Sequence, residues 1–145
     1  MATILLLNGP NLNLLGQREP DIYGHTTLSE IENNIRSLVE AAGHAFRCFQ
    51  SNSEGEMVDW LQQNRDCDFL ILNAGAFTHT SVALRDAVIS TDIPLIEIHI
   101  SNIYRRESFR HHSYLSDIAE GLIAGLGVYG YELAAQHILK KLKSL

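Results

Sequence analysis

Near its start the chain reads Ile4-Leu5-Leu6-Leu7-Asn8-Gly9-Pro10-Asn11, which is typical of a buried strand that ends in a turn. Similar apolar runs recur and predict strands at about residues 3–8, 44–50, 68–73, 94–99 and 121–126. Amphipathic segments with helical spacing lie between them and predict helices at about residues 27–42, 53–65, 80–90 and 131–142. The sequence therefore alternates between strand and helix.

This alternation predicts a parallel sheet with helices on both faces, because strands that are apolar throughout have no face for solvent. Five strand-helix units are too few to close an eight-stranded barrel. We therefore expect an α/β fold, namely a flavodoxin-like doubly wound three-layer sandwich with a five-stranded parallel sheet. The length of 145 residues fits one domain, so we expect residues 1–145 to form a single domain.

Composition narrows the possible partners and location of the protein. The formal net charge of −6 disfavours nucleic acid as a partner, because Lys and Arg drive binding to phosphates. No signal-peptide pattern opens the chain, and no apolar run approaches the roughly 20 residues of a membrane span. Cys48 and Cys67 lie in or beside apolar stretches and are expected to be free thiols. We expect a cytoplasmic protein with no membrane partner.

The arginines are unevenly distributed along this acidic chain. Three of the eight lie close together at Arg105, Arg106 and Arg110. Arginine suits carboxylates because its planar guanidinium donates two parallel hydrogen bonds. The cluster indicates a small anionic ligand, and the alternative is a solvated, charged loop.

Polar residues follow four of the predicted strands. In a doubly wound sheet, ligands bind outside the carboxyl ends of the strands. Asparagine recurs at these ends, and two of them carry histidine; the segments are 8–11, 50–53, 73–79 and 99–102. This edge of the sheet is therefore the expected ligand site.

The connection after the first predicted strand runs to about Gly24 and is too long for a simple turn. Apolar residues are interleaved in it, which favours an ordered lid over a disordered linker. The lid contains Arg18 and Tyr23. A phenol is a weak base at neutral pH because its ordinary pKa is about 10. A guanidinium about 4 Å away stabilises the phenolate by about 4 kcal/mol at an effective dielectric constant of about 20.

The pair Arg18 and Tyr23 is thus a candidate catalytic base, and the alternative is that Tyr23 packs the lid while Arg18 is solvated. His99 ends the fourth predicted strand, where an imidazole can exchange a proton near neutral pH. Glu97 shares its side of the strand by alternation and would orient the imidazole and favour its charged form.

Two further residues are weaker candidates when judged from spacing. His79 lies close to the predicted start of a helix, where anions are favoured, although a packing role is equally ordinary. Asp86, one turn further along that helix, is expected on the surface.

Six motifs taken together resemble those of the type II 3-dehydroquinate dehydratases. They follow one another in register and span most of the chain: Asn8-Gly9-Pro10-Asn11-Leu12, Arg18-Glu19-Pro20 with Tyr23-Gly24, Asn73-Ala74-Gly75 with Thr78-His79-Thr80-Ser81, Leu84-Arg85-Asp86, Glu97-Ile98-His99-Ile100-Ser101-Asn102, and Phe109-Arg110-His111-His112-Ser113.

The resemblance implies dehydration of 3-dehydroquinate to 3-dehydroshikimate by one catalytic domain, residues 1–145, without a cofactor, metal or Schiff base. Tyr23 matches the base that removes a proton from C2, and Arg18 matches the lid arginine that assists it. Asn11 matches the asparagine that supports the enolate through a water, and His99 matches the general acid at the C1 hydroxyl. Shikimate synthesis and quinate breakdown both use this reaction and both remain open.

The same resemblance assigns substrate-binding residues and an assembly. The positions that match residues holding the substrate are Asn73, His79, Ile100, Ser101 and Arg110. Asp86 matches an aspartate that a trimer lends to the neighbouring active site, which implies a homo-oligomer, a dodecamer built from trimers. The chain departs from the family at Tyr104, where His is frequent, and at Arg105, where a small residue is common.

Other classes fit the residues less well. A receiver-like signalling domain would need acidic residues after the first strand and an aspartate after the third, but Asn8 and Asn73 stand there. A flavin-binding module would need a hydroxyl-rich phosphate loop after the first strand, and Leu7-Asn8-Gly9-Pro10 is not one, because proline lacks an N–H donor. We expect no Gly-x-Gly-x-x-Gly dinucleotide loop and no Walker loop. The Gly-x-Ser-x-Gly elbow of serine hydrolases does not surround Ser81 or Ser101. The remaining alternative is a small-anion binding module, which turnover would distinguish from a dehydratase.

Overall fold

A computed structural model describes residues 1–17 and 19–145. Five strands form one parallel sheet in the order β2-β1-β3-β4-β5. Their bounds are β1 Thr3–Asn8, β2 Ala45–Gln50, β3 Phe69–Asn73, β4 Leu95–His99 and β5 Gly121–Ala124. This is the flavodoxin-like order, so the predicted fold class is confirmed.

Helices cover both faces of the sheet, because alternate residues of each strand point in opposite directions. The helices are α1 Pro20–Tyr23, α2 Leu28–Ala41, α3 Glu54–Gln63, α4 Val82–Thr91 and α5 Tyr129–Lys143. On β1, Ile4 and Leu6 belong to the hydrophobic cluster that includes α2 and α5, whereas Leu5 and Leu7 belong to the cluster that includes α3 and α4. Two buried layers thus enclose the central strands.

Side-chain caps begin three of these helices. Thr27, Ser53 and Ser81 each accept a hydrogen bond from the backbone N–H three residues later, at 3.2, 3.2 and 2.8 Å. The first two caps lie in the predicted segments. The third explains why α4 begins at Val82, two residues later than expected. Strand β5 ends earlier than expected because Gly125 turns the chain with a φ of 88°.

Sequence periodicity missed the short elements around the carboxyl edge of the sheet. These are α1 and the 3-10 helices Leu12–Leu14, Gly75–His79, Ile103–Arg105, Ser108–Arg110 and Ser116–Ile118. Each is too short for a repeating apolar pattern. In the described part of the chain, no helix is long and apolar enough to cross a membrane.

The chain leaves β1 toward β2 and leaves β3 toward β4, in opposite directions along the sheet, so the ends of β1 and β3 form the topological switch point. The two strand ends are in close contact there. A Cβ atom on Gly9 would lie 2.3 Å from the carbonyl oxygen of Ala74, so only glycine permits this approach. Gly9 also donates its N–H to the carbonyl of Asn73 at 2.8 Å. The residues that follow this contact, Pro10 and Gly75, line the crevice where doubly wound folds bind ligands.

Candidate active site

A cavity of about 160 Å³ lies at the carboxyl ends of β1, β3 and β4. Its walls come from the ends of these strands, from α1 and from the segment after β4. The lining residues are Pro10, Asn11, Leu12, Tyr23, Asn73, Gly75, Ala76, His79, His99, Ile100, Ser101, Ile103, Arg106 and Arg110. Eight of the predicted site residues therefore meet in one cavity.

The phenol of Tyr23 enters this cavity from α1 and contacts a guanidinium. Arg106 donates from Nη1 to the Tyr23 hydroxyl at 2.9 Å and to Ser101 Oγ at 3.2 Å. The Arg106 guanidinium carbon lies 5.7 Å from the centre of the Tyr23 ring. The sequence paired Tyr23 with Arg18, which lies outside the described residues. Arg106 was missed as a partner because it is 83 positions from Tyr23.

His99 is held by a buried carboxylate, as strand alternation predicts. Its Nε2 lies 2.5 Å from Oε2 of Glu97. Ser113 donates to the same carboxylate at 2.9 Å, and Ser116 donates at 2.6 Å. Burial by itself raises the pKa of Glu97, but the hydrogen bonds from His99, Ser116 and Ser113 outweigh it and hold that pKa below its usual value. An ionised carboxylate only accepts, so Nε2 of His99 donates and Nδ1 is left for a ligand.

His79 stacks beside His99, with ring centres 6.2 Å apart. Its Nδ1 lies 2.8 Å from the carbonyl oxygen of His112 and therefore carries a hydrogen. Burial lowers the pKa of His79, and it outweighs the hydrogen bond to the His112 carbonyl, which acts in the opposite direction. A neutral His79 offers Nε2 as an acceptor for a ligand hydroxyl.

The remaining lining residues are positioned by backbone contacts and one ion pair. Asn73 Oδ1 accepts from the N–H of Gly75 at 3.1 Å. Asn11 has a φ of 69° and donates its N–H to Asn52 Oδ1 at 2.9 Å. Arg110 donates from Nε to Glu107 at 3.2 Å.

The cavity is suited to an anion with hydroxyl groups. Two arginines and two histidines line it, and among the described residues no carboxylate does. Asn73, Ser101 and the neutral His79 add polar groups that pair with hydroxyls. Within the described part of the chain, no group of three or more His, Cys, Asp or Glu side chains could hold a metal ion.

A search with family models matches residues 2–139 to the family "Dehydroquinase class II". The chain belongs to the class II dehydroquinases. The resemblance stated from the motifs is confirmed, and so is the prediction that the chain is an enzyme, a type II 3-dehydroquinate dehydratase of the hydro-lyase class.

Individual relatives of this dehydroquinase are similar over nearly their whole length. "Catabolic 3-dehydroquinase" of Penicillium rubens is 58% identical over 137 residues, covering 94% of this chain and 88% of that protein. "3-dehydroquinate dehydratase" of Glaesserella parasuis is 54% identical over 145 residues, covering 99% of each. The crystal structure of type II dehydroquinase from Propionibacterium acnes matches with a TM-score of 0.91, 42% identity and 97% coverage of both chains.

One predicted residue lies apart from the dehydroquinase cavity. Asp86 is exposed on α4 and does not line the cavity of its own chain. Its neighbour Arg85 forms an ion pair with Asp117. The surface position agrees with the expectation from spacing.

The expectation that this dehydroquinase has no Gly-x-Gly-x-x-Gly pattern is wrong. Gly125-Leu126-Gly127-Val128-Tyr129-Gly130 has the Gly-x-Gly-x-x-Gly spacing of a dinucleotide-binding loop. The N–H groups of Gly125 and Gly127 donate to the carbonyls of His99 and Ile100 at 3.2 and 3.0 Å. These donors are occupied, so the loop supports the end of β4 rather than offering them to a phosphate.

Proposed function

We propose that this chain dehydrates 3-dehydroquinate to 3-dehydroshikimate without a cofactor, with Tyr23 as the base and His99 as the general acid. The observation that carries this proposal is that both side chains line one cationic cavity, each with its own charged partner, Arg106 and Glu97. Elimination of water beside a ketone needs a base, an acid and a group that stabilises the enolate.

In the first step, the Tyr23 phenolate removes the C2 proton, and the electron pair of the C–H bond forms the enolate with the C3 ketone. The N–H of Arg106, 2.9 Å from the Tyr23 oxygen, supports this step because a charge-assisted hydrogen bond holds that oxygen in place. Arg18 is proposed as a second cation at the base. Asn11 is proposed to hold the water that stabilises the enolate oxygen.

In the second step, the enolate collapses, the bond from C1 to its hydroxyl breaks, and His99 supplies the proton that turns the leaving hydroxyl into water. Because Nε2 of His99 donates to Glu97, the transferred proton comes from Nδ1. The Glu97 carboxylate holds the imidazole in the orientation that this transfer requires. Tyr23 and His99 thus have separate roles on one substrate.

Substrate positioning follows from the polarity of the remaining lining residues. We assign the substrate carboxylate to Arg110 and to the segment Ile100–Ser101, and the hydroxyls to Asn73 and His79. These contacts would hold C2 near the Tyr23 oxygen and the C1 hydroxyl near His99.

Asp86 is proposed to act in the cavity of a neighbouring copy in a dodecamer built from trimers. Its exposed position supports this proposal, and so do two exposed apolar side chains on the same helix, Val82 at 50% and Ile89 at 52%. We also propose that the enzyme acts in the cytoplasm.

Turnover tests this function against the alternative of a small-anion binding module. The purified protein is mixed with 3-dehydroquinate in metal-free buffer containing EDTA, and the absorbance of the conjugated enone carboxylate is followed. We expect absorbance to rise, also after pretreatment with borohydride in the presence of substrate, which would inactivate an enzyme that forms a Schiff base. Tyr23→Phe is the control and should bind the substrate without turning it over. A folded protein that binds but produces no absorbance would support the binding module instead.

A further inference from the structure

A buried phenol outside the cavity joins the ends of β1 and β3. Tyr131 on α5 is fully buried. Its hydroxyl donates to Asn8 Oδ1 at 2.6 Å and accepts from Asn73 Nδ2 at 2.8 Å. Asn8 and Asn73 are register partners on neighbouring strands, and Asn73 lines the cavity. Tyr131 therefore contacts a residue that lines the cavity, although Tyr131 itself does not line it.

Tyr131, Asn8 and Asn73 form a hydrogen-bonded trio. The direction of each hydrogen bond in this trio follows from the other contacts of these side chains. Gly75 donates its backbone N–H to Asn73 Oδ1 at 3.1 Å, so the oxygen of this amide faces Gly75 and the nitrogen faces Tyr131. The single hydroxyl hydrogen of Tyr131 goes to Asn8, so the hydroxyl must accept from Asn73. One Nδ2 hydrogen of Asn73 is thereby used, and the other is left for a ligand.

The trio is not the arrangement that stability alone would favour. Burial raises the pKa of Tyr131 and keeps its phenol protonated. Asn8 Nδ2 is buried and has no hydrogen-bond partner among the described residues. Buried donors without partners are rare because they cost stability, and those that persist call for an explanation. Orientation of the Asn73 amide provides one.

We propose that Tyr131 is a positioning residue that holds the Asn73 amide with its free N–H toward the substrate. The inference rests on the proposed function, since Asn73 is there assigned to a substrate hydroxyl. It extends the site to α5, none of whose residues lines the cavity.

Tyr131→Phe tests the inference because it keeps the ring and removes only the hydroxyl. The Asn73 amide then loses one of its two anchors and binds the substrate less well. We expect kcat/KM to fall about ten-fold, the effect of one hydrogen bond, with most of the change in KM. Partial unfolding would instead reduce the active fraction, which lowers kcat and leaves KM unchanged. Tyr129→Phe is the matched control, because Tyr129 lies on the same helix and its side chain is exposed. Its kcat and KM should equal those of the unaltered chain.

A double-mutant cycle separates positioning from general support of the fold. In an Asn73→Ala background, Tyr131→Phe should no longer change KM, because the amide it orients is gone. An equal fold-change in both backgrounds would overturn the inference and leave the proposed function intact. If the unaltered chain does not turn over 3-dehydroquinate, the proposed function fails, and the positioning role fails with it.

Asn8→Ala is a second variant that tests the same inference if Tyr131→Phe does not fold. Without its acceptor on Asn8, the Tyr131 hydroxyl is free to donate to Asn73, and the amide is no longer held in one orientation. We expect KM to rise in this variant also. An unchanged KM in folded Asn8→Ala would contradict the inference.

Discussion

The hydroxyl of Tyr23 contacts the guanidinium of Arg106, a residue to which the motifs assign no role. We predict that Arg106→Ala lowers kcat about 10- to 100-fold, because a hydrogen bond to a charged group contributes about 1.5–3 kcal/mol. The adjacent Arg105→Ala is the matched control, since Arg105 does not line the cavity. Steady-state kinetics of both variants checks the prediction. Equal losses would indicate a general effect of positive charge rather than the contact with Tyr23.

The Glu97 carboxylate links the site to acid stability. Its pKa is lowered in the folded protein, so its contribution to stability is present above the unfolded pKa of about 4.3 and is lost as pH falls through the folded value. We expect the unaltered chain to lose stability relative to Glu97→Gln as the pH falls below about 4.3. Urea unfolding of both proteins at pH 7 and in acid measures the difference. A difference that does not change with pH would contradict the assigned ionisation.

Strands β1 and β3 meet closely because Gly9 has no side chain. A Cβ there would lie 2.3 Å from the backbone oxygen of Ala74, which cannot move away without displacing the chain. We predict that Gly9→Ala lowers the melting temperature and raises KM, because the two strand ends that carry Asn8 and Asn73 must separate. The matched control is Gly55→Ala in α3, where the nearest atom is 3.9 Å away. In a helix, replacing glycine by alanine stabilises the protein by about 0.5–1 kcal/mol. Scanning calorimetry should therefore show a lower melting temperature for Gly9→Ala and a higher one for Gly55→Ala.

The whole molecule is expected to be active only as an assembly, because the role proposed for Asp86 is in the cavity of a neighbouring copy rather than of its own chain. We predict a particle mass of about twelve times the 16.2 kDa of the chain, measured by light scattering. Asp86→Ala and Tyr23→Phe should each have low activity as uniform assemblies. When subunits of the two variants are mixed and reassembled, sites that combine an intact Tyr23 with a neighbour's Asp86 should recover activity. Failure to recover, with mixed assemblies present, would place Asp86 outside the neighbouring site.

Local patterns in the sequence were enough to predict the elements and the fold class. Alternation and apolar runs depend on residues close in the chain, so they located all five strands, the four long helices and the contact of Glu97 with His99. The strand ends then indicated the edge of the sheet where the cavity lies, because parallel strands bring their carboxyl ends together. Short 3-10 helices were missed, since three residues show no period.

Tertiary structure alone decided which side chains meet around the cavity. Arg106 contacts Tyr23 across 83 positions, and Tyr131 contacts Asn73 and Asn8 across 58 and 123. No local pattern indicates such pairs, because they depend on how α1, α5 and the segment after β4 pack against the sheet. The sequence by itself therefore determined the α/β framework and the residue types at its carboxyl edge. The partners of Tyr23 and of the Asn73 amide came from packing, which brings together residues that are distant along the chain.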